Sequence, residues 1–235
     1  MTKNTEPINK DHVCYVLYEW KNRALHDRER YSLPIVRDGK MIGSLHPLTK
    51  DSIDDPEQIR LLAEFREKAN PFFPSQFQVT LEGTRRWCDK LLYQVEDRIL
   101  FWVETDEGGR SGRGERVGHI GLYRFDWEKR ACEIDNIVRG KEDAAPGIIS
   151  DAIRAMLHWS FEELEMETSY LRVVSDNPRA IRMYEKLGYR EIQRVPLRRI
   201  EEDNGNIHWD EVRDEPYLEI SRYFVTMLLE RNNLT

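Results

Sequence analysis

Apolar residues recur along this chain in two distinct periods. Ile149, Ile153, Met156, Leu157, Ser160, Phe161 and Leu164 follow a spacing near 3.6, which predicts a long amphipathic helix over "IISDAIRAMLHWSFEELE". The same spacing links Ile59, Leu62, Ala63 and Phe65, behind a capping Asp54 or Asp55 and a first-turn Pro56. A further helix is predicted in "TLEGTRRWCDKLLYQV", where Thr84, Trp87, Cys88, Leu91 and Leu92 share a face. Between these lie short apolar or alternating runs that read as strands: "RILFWVET", "SYLRVVS", "YREIQRVPLRRI" and "PYLEISRYFVTMLL". "VGHIGLYRFDWEKRACEIDNIVRG" reads as two strands joined at Asp126–Arg130. Asp38-Gly39 between two apolar runs is a hairpin signal. Ahead of it, "HVCYVLYEWKNRALHDRERY" fits a helix or a strand pair equally, and "EEDNGNIHWDEVRDE" is a polar excursion.

The resulting order is β-α-α-β-β-β-α-β-α-β-β after an N-terminal extension. It implies an α+β (mixed α/β) fold with a mixed sheet and helices on its faces. We divide the chain into an extension or hairpin over 1–42 and a main domain over 43–235. With 40% hydrophobic and 34% charged residues the chain is a folded domain with a polar surface, not a disordered one. A net charge of −7 argues against general nucleic-acid binding, which needs a basic footprint, although a local basic groove stays open. Cys14, Cys88 and Cys132 are odd in number and lack metal-ligand spacing, so they read as reduced thiols and no metal is expected. "MTKNTEPINKDH" has no signal-peptide core, and no apolar run approaches the ~18–20 residues of a membrane span. The expectation is a cytoplasmic protein without membrane or nucleic-acid partners. "DEGGRSGRGER" reads as a hairpin tip in preference to a phosphate loop, because a strand and not a helix follows it.

One segment carries specific chemistry. In "SDNPRAIRMYEKLGY", Asp176 or Asn177 supplies a capping oxygen, Pro178 suits the first turn, and Gly188 suits the left-handed position that ends a helix. Ala180, Tyr184 and Leu187 then share one face. Asn177, Ala180, Tyr184, Gly188 and Tyr189 match Asn-x-x-Ala-x-x-x-Tyr-x-x-x-Gly-Phe/Tyr position by position. In this order of elements the segment resembles the GNAT superfamily of N-acetyltransferases, over about residues 43 to 229. The resemblance implies a mostly antiparallel sheet, acetyl-CoA as acyl donor, and Tyr184 as the general acid that protonates the departing thiolate. It also implies that Asn177 and Ala180 border the cofactor. The alternative for Tyr184 is a buried tyrosine whose hydroxyl meets a backbone partner.

The resemblance places a base in "CEIDNIVRG". Glu133 stands where family members often carry a glutamate that takes the proton of the attacking amine, and Asp135 lies on the same side of the strand. Two carboxylates on one face favour protonation of one of them. The alternative is an ion-paired strand face near Arg124 or Arg130. Backbone N–H groups near Ile137 and Val138 are expected to polarise the thioester carbonyl. The family's Arg/Gln-x-x-Gly-x-Gly/Ala phosphate loop is altered here: Ala144 and Ile149 replace the first and last members, and Pro146 lacks an N–H. Gly147 remains, so the amides of Gly147, Ile148, Ile149 and Ser150 are the expected phosphate donors, with Arg139 or Lys141 supplying charge.

The "APG" loop and the "LRVVSDNPRAIRMYEKLGY" run are similar to GNAT members of surface amino-sugar biosynthesis. That similarity suggests a nucleotide-linked amino sugar as acceptor. A protein N-terminus of the ribosomal-protein type and a non-catalytic GNAT-fold module are the alternatives. Arg194, Arg198 and Arg199 favour the nucleotide sugar, and the net acidity favours the peptide. Phe72, Phe73, Phe77 and Trp87 are candidates for an acceptor wall or for core, and His208 or Trp209 for a lid. A homodimer, and docking through residues 1–40, are further candidate states.

Overall fold

The computed structural model describes residues 8–106, 114–212 and 221–235. Helix α1 (Lys10–Arg23) opens the chain, capped by the Asn9 side chain. It leads to strands β1 (Leu33–Arg37) and β2 (Lys40–Pro47), which turn at Asp38-Gly39 as the hairpin signal predicts. Helices α2 (Lys50–Asp54) and α3 (Pro56–Ala69) follow, then a two-residue strand β3 (Ser75–Gln76). Helix α4 (Leu81–Trp87) continues into a π turn over Cys88–Tyr93. Strands β4 (Ile99–Thr105), β5 (Glu115–Asp126) and β6 (Ala131–Arg139) form a meander. The chain then runs through α5 (Ile148–Glu162), β7 (Thr168–Val174) and α6 (Pro178–Lys186). It ends in β8 (Arg190–Glu201), β9 (Ile207–Glu211) and β10 (Arg222–Glu230).

These strands form one sheet in the order β1-β2-β4-β5-β6-β7-β10-β8-β9-β3. All neighbours are antiparallel except β6 and β7. The fold is thus α+β, with a mostly antiparallel sheet flanked by helices. Of the Gly/Arg-rich stretch, residues 107–113 lie outside the described residues; its flanks pair as a hairpin, Thr105 opposite Glu115.

Each face of the sheet has its own core. On one, α5 buries Ile149, Ile153, Met156, Leu157, Ser160 and Phe161, and Leu164 just past its end completes the stripe read from the sequence. At about 1.5–3 kcal/mol per fully buried large apolar side chain, this helix is a principal anchor of the fold. Val13 and Leu17 of α1 join the same cluster, and Trp20 packs against Trp159 at 4.7 Å between ring centroids. The buried Lys21 ammonium donates to the carbonyls of Tyr93 and Val95 at 3.2 and 2.6 Å. Residues 8–40 therefore contribute to the main core, and the division drawn after residue 42 falls within β2. On the other face, Ile59, Leu62 and Phe65 of α3 pack with Cys88, Leu92, Leu100, Trp102 and Val138. Cys88 and Cys132 are buried and Cys14 half-buried, all as free thiols. No helix among the described residues is long and apolar enough to cross a membrane.

The second face also buries a histidine. His119 on β5 is 2% exposed, stacks on Phe65, and donates from Nδ1 to the Asn136 carbonyl at 2.8 Å. Burial pushes its pKa down to about 4, and that of His46 likewise to about 4. Unfolded, both titrate near 6.5. Between those values the unfolded chain holds more protons, so stability falls as pH drops from about 6.5 toward 4. Thermal melts across that window should show a steep acid decline worth on the order of 3 kcal/mol per histidine. His119→Gln, which keeps a donor for Asn136, should remove about half of it and leave the share of His46. A decline of the same steepness in that variant would assign the acid sensitivity elsewhere.

Candidate active site

The site is built where β6 and β7 part. Their parallel pairing comprises Ala131↔Thr168, Cys132↔Ser169 and Glu133↔Tyr170. Beyond Glu133, β6 stays paired with β5 as far as Arg139↔Gly118, and β7 stays paired with β10 as far as Val174↔Phe224. The two strands are thus held to their outer neighbours while a gap opens between them. A bulge bends β6 at this point: the register with β5 shifts between His119 and Gly121, and Asn136 adopts φ 52°. The His119–Asn136 hydrogen bond fixes it. Past Glu133 the edge of β6 that faces β7 has no strand partner among the described residues. Ile137 and Val138 lie in this stretch, with Val138 buried in the α3-side core and Ile137 packed against the α5-side core.

Two helices begin at this open end, one after each strand, as expected where parallel strands point the same way. Helix α6 starts with Asn177, whose Oδ1 accepts from the Ala180 N–H at 3.2 Å. It ends in the predicted left-handed glycine: Gly188 has φ 98°, and the Tyr189 N–H returns to the Tyr184 carbonyl at 3.1 Å. A side chain at Gly188 would begin 2.1 Å from the Asn233 carbonyl oxygen. Between these fixed ends, Ala180 packs on the α5-side core and Tyr184 is 6% exposed within it. Burial holds the Tyr184 phenol well above its ordinary pKa of 10. Its ring meets Tyr189 edge to face at 6.1 Å. The Tyr189 hydroxyl bonds Ser169 Oγ at 2.8 Å, whereas the Tyr184 hydroxyl has no partner among the described residues.

Helix α5 starts differently. Its N-cap is Gly147 at φ 83°, and no side chain caps it, in contrast to α1, α3, α4 and α6. Ile148 N–H closes a turn onto the Ala145 carbonyl, while the N–H groups of Ile149 and Ser150 have no acceptor among the described residues. The Ile148 and Ile149 side chains are buried in the core, so these residues offer backbone alone. Open amides at a helix N-terminus, beside a glycine, fit the phosphates of CoA. The two cations expected to help are engaged elsewhere. Arg139 donates to the carbonyls of Lys141, Glu142 and Ala144, shaping the loop around itself, and Lys141 pairs with Glu115. Arg37 of β1 instead reaches this helix start, a residue that sequence reasoning missed because nothing local marks it.

Glu133 lies at the apex of the gap. Its strand neighbours Cys132 and Ile134 face the α5 side, so Glu133 faces the opposite one, away from Tyr184. The structure does not bring Glu133 and Tyr184 together; it sets them on the two faces of the same opening. Glu133 is 4% exposed, with one oxygen 2.6 Å from Arg124 and the other 3.2 Å from Arg172. Asp135 accepts from Arg98 at 2.7 Å and from the Asn136 backbone and side chain. The like-charge crowding expected from the two carboxylates is thus relieved by arginines from β5, β7 and the turn before β4. Arg172 extends the network to Glu211 of β9 at 3.2 Å, so the far end of the sheet curls back over β7.

A strap crosses the mouth of the gap on this face. At its start Lys68 donates to the Gly140 carbonyl, just beyond β6. At its far side Arg222 donates to the Pro71 carbonyl at 2.8 Å and to Asp176, just beyond β7, at 3.0 Å. The strap then pairs with β9 through Ser75↔His208 and Gln76↔Ile207, so the presumed polar excursion contains a strand. His208 and Trp209, the lid candidates, lie on that strand, and Trp209 stacks on Arg222 at 4.7 Å. Of the aromatic candidates, Phe73 and Trp87 pack on the α3-side core, while Phe72 and Phe77 are 52% and 41% exposed. Arg66 lies over both Phe73 and Phe77, at 4.1 and 4.8 Å. Arg194 and Arg199 pair with Glu191 and Glu201 of their own strand.

Comparison with known proteins agrees with this geometry. The model of the acetyltransferase (GNAT) domain family matches residues 44–190. No curated protein matches in sequence. The fold is shared with spermidine N-acetyltransferase from Vibrio cholerae, solved in complex with CoA and spermine. That match has a TM-score of 0.58 and 16% identity, and covers 80% of this chain and 95% of that one. It is also shared with apo FdhC, described as a nucleotide-linked sugar GNAT, at a TM-score of 0.58 and 11% identity over 82% of this chain and 88% of that one. With the family match spanning well over half the chain, this protein belongs to the GNAT acetyltransferases and is an acetyl-CoA-dependent N-acetyltransferase.

Proposed function

We propose that the chain transfers an acetyl or other small acyl group from CoA to a primary amine by direct attack, with donor and acceptor bound together. Acetyl-CoA, when bound, supplies the activated thioester; the chain's own residues hold it and manage protons. One observation carries the assignment of the acid. A buried tyrosine kept for packing finds a partner for its hydroxyl, as Tyr189 does with Ser169, but Tyr184 has none among the described residues. Its raised pKa keeps the proton on the phenol through the neutral range, ready for a thiolate.

Glu133 is the proposed base, on the face from which the amine arrives. An ammonium is no nucleophile, so a proton must leave before attack. Both Glu133 oxygens accept from guanidinium groups, and Arg124, with its side chain 48% exposed, is the partner able to swing away. Backbone N–H groups at Ile137 or Val138 are proposed as donors to the thioester oxygen. Gly147, Ile148, Ile149 and Ser150 hold the phosphates through their backbone, and Asn177 and Ala180 border the cofactor at the start of α6. Arg139 serves by shaping the loop.

The acceptor is proposed to be an amine on a neutral or anionic carrier, a nucleotide-linked amino sugar in particular. One protein of this fold is solved with spermine and another is described as a nucleotide-linked sugar GNAT, so side chains must discriminate. A polycation needs carboxylates that are not already neutralised. Here Glu133, Asp135, Asp176 and Glu211 all have arginine partners. The Arg66–Phe73–Phe77 and Arg222–Trp209 groups offer positive charge beside aromatic faces instead.

Thiol release measured across nucleotide-linked amino sugars, polyamines and N-terminal peptides should give the highest kcat/KM with the first class. A tenfold or greater preference for a polyamine or a peptide would overturn the acceptor reading. With the best acceptor, Tyr184→Phe should lower kcat by about 10²-fold or more while leaving KM for acetyl-CoA within about twofold. Unchanged kcat would remove Tyr184 from the mechanism.

A further inference from the structure

The first turn of α5 carries a carboxylate, Asp151. Near a helix N-terminus such a group interacts favourably with the helix but opposes any other anion brought to the same amides. Two guanidinium groups answer it. Arg154 reaches Oδ1 at 2.6 Å. Arg37, the last residue of β1, approaches Oδ2 with Nε at 2.8 Å and Nη2 at 2.6 Å. The same Nη2 donates to the Pro146 carbonyl at 2.7 Å and lies 3.0 Å from the point where a side chain at Gly147 would begin. Arg37 therefore grips the chain on both sides of Gly147, at the carbonyl before it and at the helical turn after it. The loop's own cations do neither, since Arg139 donates to loop carbonyls and Lys141 pairs with Glu115. β1 packs along α5, so the guanidinium is delivered from a strand fixed to the same core.

We infer that Arg37 is a positioning residue for the phosphate end of the CoA site: it neutralises Asp151 and holds the Pro146–Gly147 turn, so that the N–H groups of Ile149 and Ser150 stay open to an anion. The inference rests on the proposed placement of the CoA phosphates at the start of α5. In this chain the charge that the altered loop lacks is supplied across the fold, by a residue outside the loop.

Calorimetric titration with CoA and with pantetheine, which lacks the phosphates, separates the possibilities. Wild type should bind CoA at least about tenfold more tightly than pantetheine. Arg37→Gln should weaken CoA about tenfold and leave pantetheine unchanged. Adding Asp151→Asn to that variant should restore CoA affinity to within about threefold of wild type, because the carboxylate no longer needs an answering charge. A merely structural role would not be rescued by removing the acid. CoA affinity within about twofold of wild type in Arg37→Gln, or no recovery in the double variant, would overturn the inference. Should Arg37→Gln fail to fold, Arg37→Lys keeps the charge but loses the fork that reaches both Asp151 and Pro146; CoA should weaken about threefold with pantetheine unaffected. Equal weakening of both ligands by Arg37→Lys would overturn it. If wild type binds CoA no better than pantetheine, the placement of the phosphates fails instead, and this inference with it.

Discussion

β6 and β7 pair as far as Glu133↔Tyr170 and then separate, although each stays hydrogen-bonded to its outer neighbour. A sheet cannot leave backbone groups unpaired in its middle without giving them water or a ligand. The opening is held by the bulge at Asn136, which His119 locks from the neighbouring strand, and by the antiparallel pairing of β10 against β7. Because β6 and β7 run parallel, both following helices begin at the open end. The places proposed for the cofactor's phosphates, the thioester and the acid all follow from this one local break in pairing.

The two helix starts show how the same physics serves opposite ends. α6 is capped internally by Asn177, whose side chain takes the Ala180 N–H and whose carbonyl takes that of Ile181, and this fixes where Tyr184 sits. α5 is uncapped, and its amides stay open at a left-handed glycine. The arginine network makes a similar division across the sheet. On the α3 side the carboxylates Glu133, Asp135 and Glu211 are tied to guanidinium groups that come from separate elements. Removing one member of such a partly buried set leaves its partner uncompensated, so the set acts as a unit. The strap from Lys68 to Gln76 closes over this face and joins α3 to the curled end of the sheet.

Much of this was legible in the residues themselves. The α5 stripe, the α3 face and the Asp38-Gly39 turn follow from periodicity and turn chemistry, which act over a few residues. The limits of α6 were equally local: Asn177 and Pro178 at one end, Gly188 at the other, each conformationally restricted in a way its residue type announces. The elements left undecided were those whose local signals conflict. α1 mixes apolar and charged residues because Lys21 is buried by a tertiary contact with the carbonyls of Tyr93 and Val95. β9 has no strand pattern of its own, and exists because β8 and the strap both pair with it.

The sequence by itself determined the order of the longer elements from β2 onward, the ends of α6 and the placement of Tyr184 on that helix, since each depends on backbone preferences within a turn or two. Tertiary structure alone decided where β6 and β7 separate, that Glu133 and Tyr184 occupy opposite faces of the gap, and which arginines meet which carboxylates. It also decided that Arg37, 114 residues from Asp151 along the chain, stands at the start of α5. Such juxtapositions depend on packing and strand register between distant segments, and a pattern read along one chain carries no record of them.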